Sequence, residues 1–323
     1  MQNTYTDSLQ PSKIIYFTKA RTALRYGLKS LGLGKSDAIL MPDFICESVF
    51  EPIFQNSMSV IVYETELDLR PNWSSMEASI NKNTKAVLMV HYFGQPQDIN
   101  KFQEFAKKHN LYLIEDNAHG HAGTLNNKVL GTYGDIGISS PRKFQGTGGI
   151  LYLNKNYDKN AMPLLDYDAA ETKVSWPRRL INENSKFKHQ LKLLFRNREK
   201  YEDPRSFREL EGEEHYLADS SIRIIESLDW TKIAALRRKK YFKIQSSVVK
   251  QGLKPVFKTI EIGSNPWCFP AYASTQTEAI KWFDWGWKNN IEVYSWPVLR
   301  EEQLCEENSA YSKWKKLVCF SLL

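Results

Sequence analysis

Three apolar runs in the first half of the chain lead into residues equipped for chemistry. Residues 86–90 run into His91, residues 111–114 into Glu115 and Asp116, and residues 135–138 into Ser139 and Ser140. Past the third run come Lys143 and the glycine-rich Gly146-Thr147-Gly148-Gly149. A lysine amine attacks carbonyl carbons and, when neutral, accepts protons. A carboxylate holds a cationic partner, and hydroxyls and glycine amides receive anions. In open α/β sheets the residues just past the carboxyl ends of strands line the ligand crevice. A carboxylate, a histidine and a lysine reaching one rim from separate strands form a constellation.

The constellation depends on elements that hold those ends together. Residues 13–155 alternate between helical and strand signals, the pattern of an α/β domain with a mostly parallel sheet flanked by helices. Ala23, Leu24, Leu28 and Leu31 predict a helix over 22–33 that stops at Gly32 and Gly34. Strands are expected at 38–41, stopped by Pro42, and at 59–63, where Val60, Ile61 and Val62 read as buried. Further strands are expected at 86–90, 111–114, 135–139 and 149–153, with helices at 73–80 and 100–109.

This rhythm stops near residue 155. Residues 156–215 are charged and irregular, with helical stretches around 187–197 and a polar loop over 198–214. A long helix is expected over 220–249, followed by short strands at 255–257, 267–269 and 291–294 and a helix at 276–288. The reading is a large domain over 1–200 and a small α+β domain over 201–323.

Composition excludes several classes. The 323 residues are 42% hydrophobic and 25% charged, and 9 Trp, 16 Tyr and 16 Phe supply apolar area for a core, which argues against a disordered chain. No stretch approaches the roughly 20 apolar residues of a membrane span. The first 13 residues lack a basic segment followed by an apolar run, so a cytoplasmic location and no membrane partner are expected. The net charge is +7, and its densest run, Arg237-Arg238-Lys239-Lys240, reads as the solvated face of a helix. No nucleic-acid motif accompanies it, so no such partner is expected. Cys46, Cys268, Cys305 and Cys319 are scattered with no C-x-x-C pair, which points to reduced structural thiols and no metal.

Order and spacing sharpen the constellation. A strand ending in Glu-Asp, a histidine three residues past the aspartate (His119) and a lysine 27 residues past it resemble fold-type-I enzymes that use pyridoxal 5′-phosphate. The segments MPDFICESV, VHYFGQPQDINKFQEFAKKHNLYLIEDNAHGHAG, GTYGDIGISSPRKFQGTGGILYLN and NNIEVYSWPVL resemble the DegT–DnrJ–StrS sugar-nucleotide aminotransferases. The resemblance covers residues 13–320.

It implies roles residue by residue. Lys143 matches the lysine that holds the cofactor covalently, a task that needs the neutral amine. Desolvation and nearby positive charge, with Arg142 as one source, favour that form. Once freed, the same amine shuttles a proton between substrate and cofactor. A dehydratase branch of the family carries histidine here, so lysine implies amino transfer. Asp116 matches the carboxylate that pairs with the pyridine nitrogen, and His119 a position that contacts the phenolic oxygen. Ala20, Arg21 and Thr22 match the helix start that binds the phosphate, where Ala20 replaces a glycine and requires negative φ. Ser139 or Ser140 would add a hydroxyl.

Where the family stacks an aromatic residue on the cofactor ring, this chain has Cys46, which leaves Phe44, His91 or Tyr92 to supply the face. Ser220 and Arg223 are candidates for the contact with a partner subunit's phosphate. The resemblance further implies a homodimer with its active site at the interface, and a small domain shortened at its C-terminus. The implied reaction moves an amino group from an amino acid, with glutamate the expected donor, to a keto sugar on a nucleoside diphosphate. Its product would feed a surface polysaccharide or a glycosylated metabolite. Two alternatives stay open: a pyridoxal-phosphate enzyme with a non-sugar substrate, and a non-catalytic homologue that binds the cofactor or a sugar nucleotide.

Overall fold

Strands rich in Val, Leu, Ile and Met with no polar alternation must be covered on both faces, and helices do this in the computed structural model. The structure describes residues 11, 13–144, 146–154, 157–167 and 213–322. Nine strands occupy its first half: β1 (Lys13–Phe17), β2 (Ala38–Pro42), β3 (Ser59–Tyr63), β4 (Thr84–Val90), β5 (Tyr112–Asn117), β6 (Thr124–Leu125), β7 (Lys128–Val129), β8 (Ile136–Ser139) and β9 (Gly149–Leu153). Seven form one sheet in the order β1-β9-β8-β5-β4-β2-β3, and β6 pairs with β7 in a small hairpin. Strands β3, β2, β4, β5 and β8 run parallel, whereas β9 runs antiparallel to both β8 and β1.

Four helices accompany this sheet: α1 (Ala20–Ser30), α2 (Phe50–Gln55), α3 (Trp73–Ser79) and α4 (Ile99–Lys108). Helix α4 shows why they form where they do. The Asp98 side chain accepts from the Lys101 N–H at its start, Lys107 and Lys108 meet its negative end, and Ile99, Phe102, Phe105 and Ala106 face the core. Strand β3 is not the buried strand its valines suggest. It lies at the sheet edge with Val62 44% exposed, because one of its sides has no neighbouring strand.

The predicted helix over 220–249 is two helices, α5 (Asp219–Ser227) and α6 (Trp230–Val248). The chain turns extended at Leu228, and the Asp229 side chain accepts from the Lys232 N–H, an N-cap that starts the second helix. Beyond them, β10 (Lys254–Pro255), β11 (Cys268–Tyr272), β12 (Val293–Tyr294) and β13 (Leu317–Ser321) form an antiparallel sheet in the order β10-β11-β13-β12. Helix α7 (Gln276–Asn289) packs Ala279, Trp282 and Phe283 on this sheet, and α8 (Ser309–Trp314) precedes β13. The apolar run of β13 has no alternation, which is why period alone does not assign it. The helical stretch expected at 187–197 lies outside the described residues, as does the loop at 198–214 except for its last two residues.

One buried cluster joins the two sheets, running from Leu24, Met41, Leu88 and Ile114 to Trp296, Trp314 and Cys319. A buried ion pair reinforces it. Asp43, just past β2, meets Lys313 Nζ of α8 at 3.3 Å and accepts both the N–H and the hydroxyl of Thr65. Among the described residues no helix is long and apolar enough to cross a membrane.

Candidate active site

The parallel strands end level with one another. Val90 pairs with Asp116, and Asn117 with Ser139. A cavity of about 1200 Å³ opens at these ends, and its wall includes Ala20, Arg21, Cys46, Asp116, Ser140 and Lys143. The two groups on which the sequence reading depends, the Lys143 amine and the Asp116 carboxylate, therefore face one space.

Adjacent residues of a strand point to opposite faces, so Glu115 and Asp116 separate. Asp116 is buried at the cavity and accepts the Ala118 N–H at 2.9 Å. Burial raises its pKa, against the opposing pull of that N–H, Lys143 and His91. Such a carboxyl gains from a cationic partner.

Glu115 turns into the core, where it accepts the N–H groups of Gly131, Tyr133 and Gly134 at 2.5, 2.7 and 3.2 Å. His91 Nδ1 accepts the Gln97 N–H at 3.1 Å, which puts the ring proton on Nε2, 2.8 Å from Glu115. With 0% exposure and both nitrogens engaged, His91 offers no face to the cavity. Phe44 is equally buried, packed edge-on against Trp296 at 5.5 Å, and the Tyr92 hydroxyl donates to the Phe44 carbonyl at 2.7 Å. Three candidate ring faces are thus core residues, because apolar packing behind β2 and β4 claims them.

His119 is buried beside the cavity. Its Nδ1 accepts the Phe93 N–H at 3.3 Å, which leaves the proton on Nε2. Burial, then the charge of Lys143, holds its pKa well below the usual range, so the ring is neutral. It lies 5.6 Å from the Phe93 ring and 4.4 Å from that of Trp267, with Trp296 edge-on at 4.7 Å. Lys143 ends the single 3₁₀ turn Pro141–Lys143 after β8, and its Nζ sits 4.1 Å from the centre of the Trp267 ring. Arg142 is exposed at the cavity rim, so water screens its charge.

The basic run on α6 is not a uniformly solvated face. Lys239 and Lys240 are exposed, but Arg237 is 4% exposed and donates to the carbonyls of Pro266 and Trp267 at 2.8 and 2.6 Å. Its guanidinium also lies 4.8 Å from the Phe144 ring, and Arg238 donates to the Ser264 carbonyl at 2.7 Å. A signal was present: Arg237 continues the apolar stripe of Trp230, Ile233, Ala234 and Tyr241 at helical spacing. Trp267 and Trp296 also line the cavity, and no local pattern marks them.

Helix α1 starts at the cavity wall, with Ala20 and Arg21. Its N-cap, Lys19, makes no side-chain cap, and no acidic residue occupies the first turn, so no side chain of that turn offsets the positive end of the helix dipole. Ala20 has the helical, negative φ that its replacement of a glycine requires. Thr22 is 1% exposed, and its Oγ1 has no hydrogen-bond partner among the described residues. Gly149 lets β9 approach this turn, since a Cβ there would lie 2.3 Å from the Ala20 nitrogen. Arg21 lines the cavity while paired with Glu51 at 2.9 Å. Of the two serines, Ser139 is taken by His121 Nδ1 at 2.8 Å, and Ser140 lies at the cavity wall. On α5, Ser220 is half-buried and Arg223 exposed, and neither belongs to this wall.

Among the described residues no group of three His, Cys, Asp or Glu side chains is placed to hold a metal ion. The model of the DegT/DnrJ/EryC1/StrS aminotransferase family matches residues 7–175, more than half of the chain. The GDP-perosamine synthase of Vibrio cholerae is 32% identical over 139 residues, 42% of this chain and 38% of that protein. A UDP-N-acetyl-3-dehydro-alpha-D-glucosamine 3-aminotransferase of Acidithiobacillus ferrooxidans is 32% identical over 130 residues, 39% of this chain and 35% of that protein. The chain thus spans well under half the length of the curated relatives it matches. The crystal structure of the aminotransferase TlmJ from Streptoalloteichus hindustanus superposes over 95% of this chain and 80% of its own, at 15% identity and a TM-score of 0.68, a likeness of fold.

Proposed function

The chain belongs to the DegT/DnrJ/EryC1/StrS aminotransferase family, and from that premise we propose that it transfers an amino group from glutamate to the keto group of a sugar carried on a nucleoside diphosphate. The observation that carries this reading is the shared cavity of Lys143, Asp116 and the uncapped start of α1. The names of the relatives, which act on GDP- and UDP-linked sugars, support the substrate class.

The cofactor is pyridoxal 5′-phosphate, and the residues present fit it. The unpartnered Thr22 hydroxyl and the uncapped start of α1 suit a phosphate, and Ser140 lies on the cavity wall with Ala20 and Arg21. Asp116, whose pKa burial raises, suits a cationic ring nitrogen, and the neutral His119 presents an Nε2–H to an anionic oxygen. When bound, the cofactor supplies an aldehyde carbon that takes up amino groups and a protonated ring that spreads negative charge.

The protein's own residues do the rest. Lys143 would hold the group through Nζ, and its amine is the base that would move a proton at the substrate carbon. Asp116 keeps the proton on the ring nitrogen, which preserves the ring's capacity for charge. The amides of α1 anchor the phosphate and so fix the distance between Lys143 and the reacting carbon. The active site is completed by a second copy of the chain in a homodimer, and the product enters a surface polysaccharide or glycosylated metabolite.

Protein supplied with pyridoxal phosphate is expected to absorb at the edge of the visible range and to lose that band in Lys143→Ala. Glutamate then bleaches the band, and nucleotide keto sugars, screened one by one, restore it. Bleaching by another amino acid alone points to a different donor or substrate. A wild-type protein that forms no band overturns the proposal.

A further inference from the structure

Cys46, at the position where an aromatic face is expected, does reach the cavity wall, half-buried and 3.3 Å from the Ser48 hydroxyl. A thiol offers no π-face, and Phe44, His91 and Tyr92 are buried in the core. Trp267 stands elsewhere on the same wall, with its ring centre 4.1 Å from Lys143 Nζ and 4.4 Å from that of His119.

Its place is set by backbone anchors. The Trp267 N–H donates to the Phe93 carbonyl at 3.1 Å, and its own carbonyl accepts from Arg237. Arg237 also holds the Pro266 carbonyl, and the Asn265 side chain donates to the His121 carbonyl at 2.7 Å. Gly94, at φ +86°, permits the approach, since a Cβ there would lie 2.3 Å from the Asn265 carbonyl oxygen. A segment tied down this closely holds its indole with little freedom left to lose on binding.

We propose that Trp267 supplies the aromatic face against which the cofactor ring lies, in place of the residue at position 46, with Arg237 as its positioning residue. The inference rests on the functional reading above, and it moves a binding contact from the loop after β2 to the segment before β11. Aromatic surfaces pack offset or edge-on with a gain beyond that of the area buried.

The test uses the full-length apo-protein and pyridoxal 5′-phosphate as the probe, reading the dissociation constant and the cofactor's induced circular dichroism. Trp267→Phe keeps both near wild type. Trp267→Ala binds about tenfold more weakly or worse and loses the dichroic band, while sodium borohydride still fixes the bound fraction to Lys143. Cys46→Ala stays within about twofold of wild type. Arg237→Gln weakens the band, and Arg237→Lys, which keeps charge but lacks the fork for two carbonyls, does not restore it fully. Wild-type affinity and band in Trp267→Ala overturn the proposal, as does a Trp267→Phe protein that melts normally but binds as poorly as Trp267→Ala. Absence of binding by the wild type is a different result, which overturns the functional reading itself.

Discussion

His91 Nε2 lies 2.8 Å from Glu115 Oε1 with both side chains fully buried, one residue along the strand from Asp116. Together with the N–H groups of Gly131, Tyr133 and Gly134, His91 gives Glu115 four donors, so the carboxylate fixes the end of β5 from behind. Glu115→Ala leaves those donors unsatisfied in the core. The expected loss is about 3 kcal/mol or more of unfolding free energy, read from urea denaturation. A loss below about 1 kcal/mol contradicts this account of the pair.

His121 carries the clearest pH dependence. Burial pushes its pKa down to about 3, so it stays neutral in the fold while the unfolded chain takes up a proton below about 6.5. The unfolded state then binds more protons, and stability falls as pH drops from about 6.5 toward 3, by about 1.4 kcal/mol per unit at most. His119 is depressed in the same direction and adds to the slope. Thermal melts of wild type and His121→Asn across that window check this, with the variant expected to show the shallower decline.

Thr22→Val separates fold from function. It replaces a buried hydroxyl that lacks a partner with a methyl group of nearly the same size, so the apo-protein is expected to gain up to about 1 kcal/mol. Pyridoxal phosphate, which would use that hydroxyl, is expected to bind about tenfold more weakly. A variant whose apo stability and cofactor affinity both match wild type shows that the hydroxyl faces no phosphate.

Gly149→Ala brings a methyl group to within 2.3 Å of the Ala20 nitrogen, a backbone atom that side-chain rotation cannot move away. The start of α1 must shift, at an expected cost of about 1–3 kcal/mol in stability. Phosphate anchoring weakens with it, measured as faster loss of cofactor on dialysis. Unchanged retention in a destabilised variant places the phosphate elsewhere.

The spacing of Asp116, His119 and Lys143 was legible because each lies at or just past the end of a strand with a plain apolar run, and the order of strands brings those ends to one rim. Helix α1 was legible from the helical spacing of Ala23, Leu24 and Leu28, whereas the strand β1 before it was not. The half-exposed β3, the break at Leu228 and the strand β13 were not, because edge position, capping and pairing partners lie outside any local window.

What the sequence by itself determined is the parallel-sheet architecture and the amine and carboxylate that the strand ends bring to one cavity, since short-range periodicity encodes elements and elements carry those residues. Which ring faces the lysine was decided by the tertiary structure. Trp267 follows Lys143 by 124 residues, and it arrives there only because Phe93, Arg237 and Asn265 tie its segment down. Packing likewise turned His91 and Phe44 inward, where burial of apolar area and satisfied hydrogen bonds outweigh any place at the cavity.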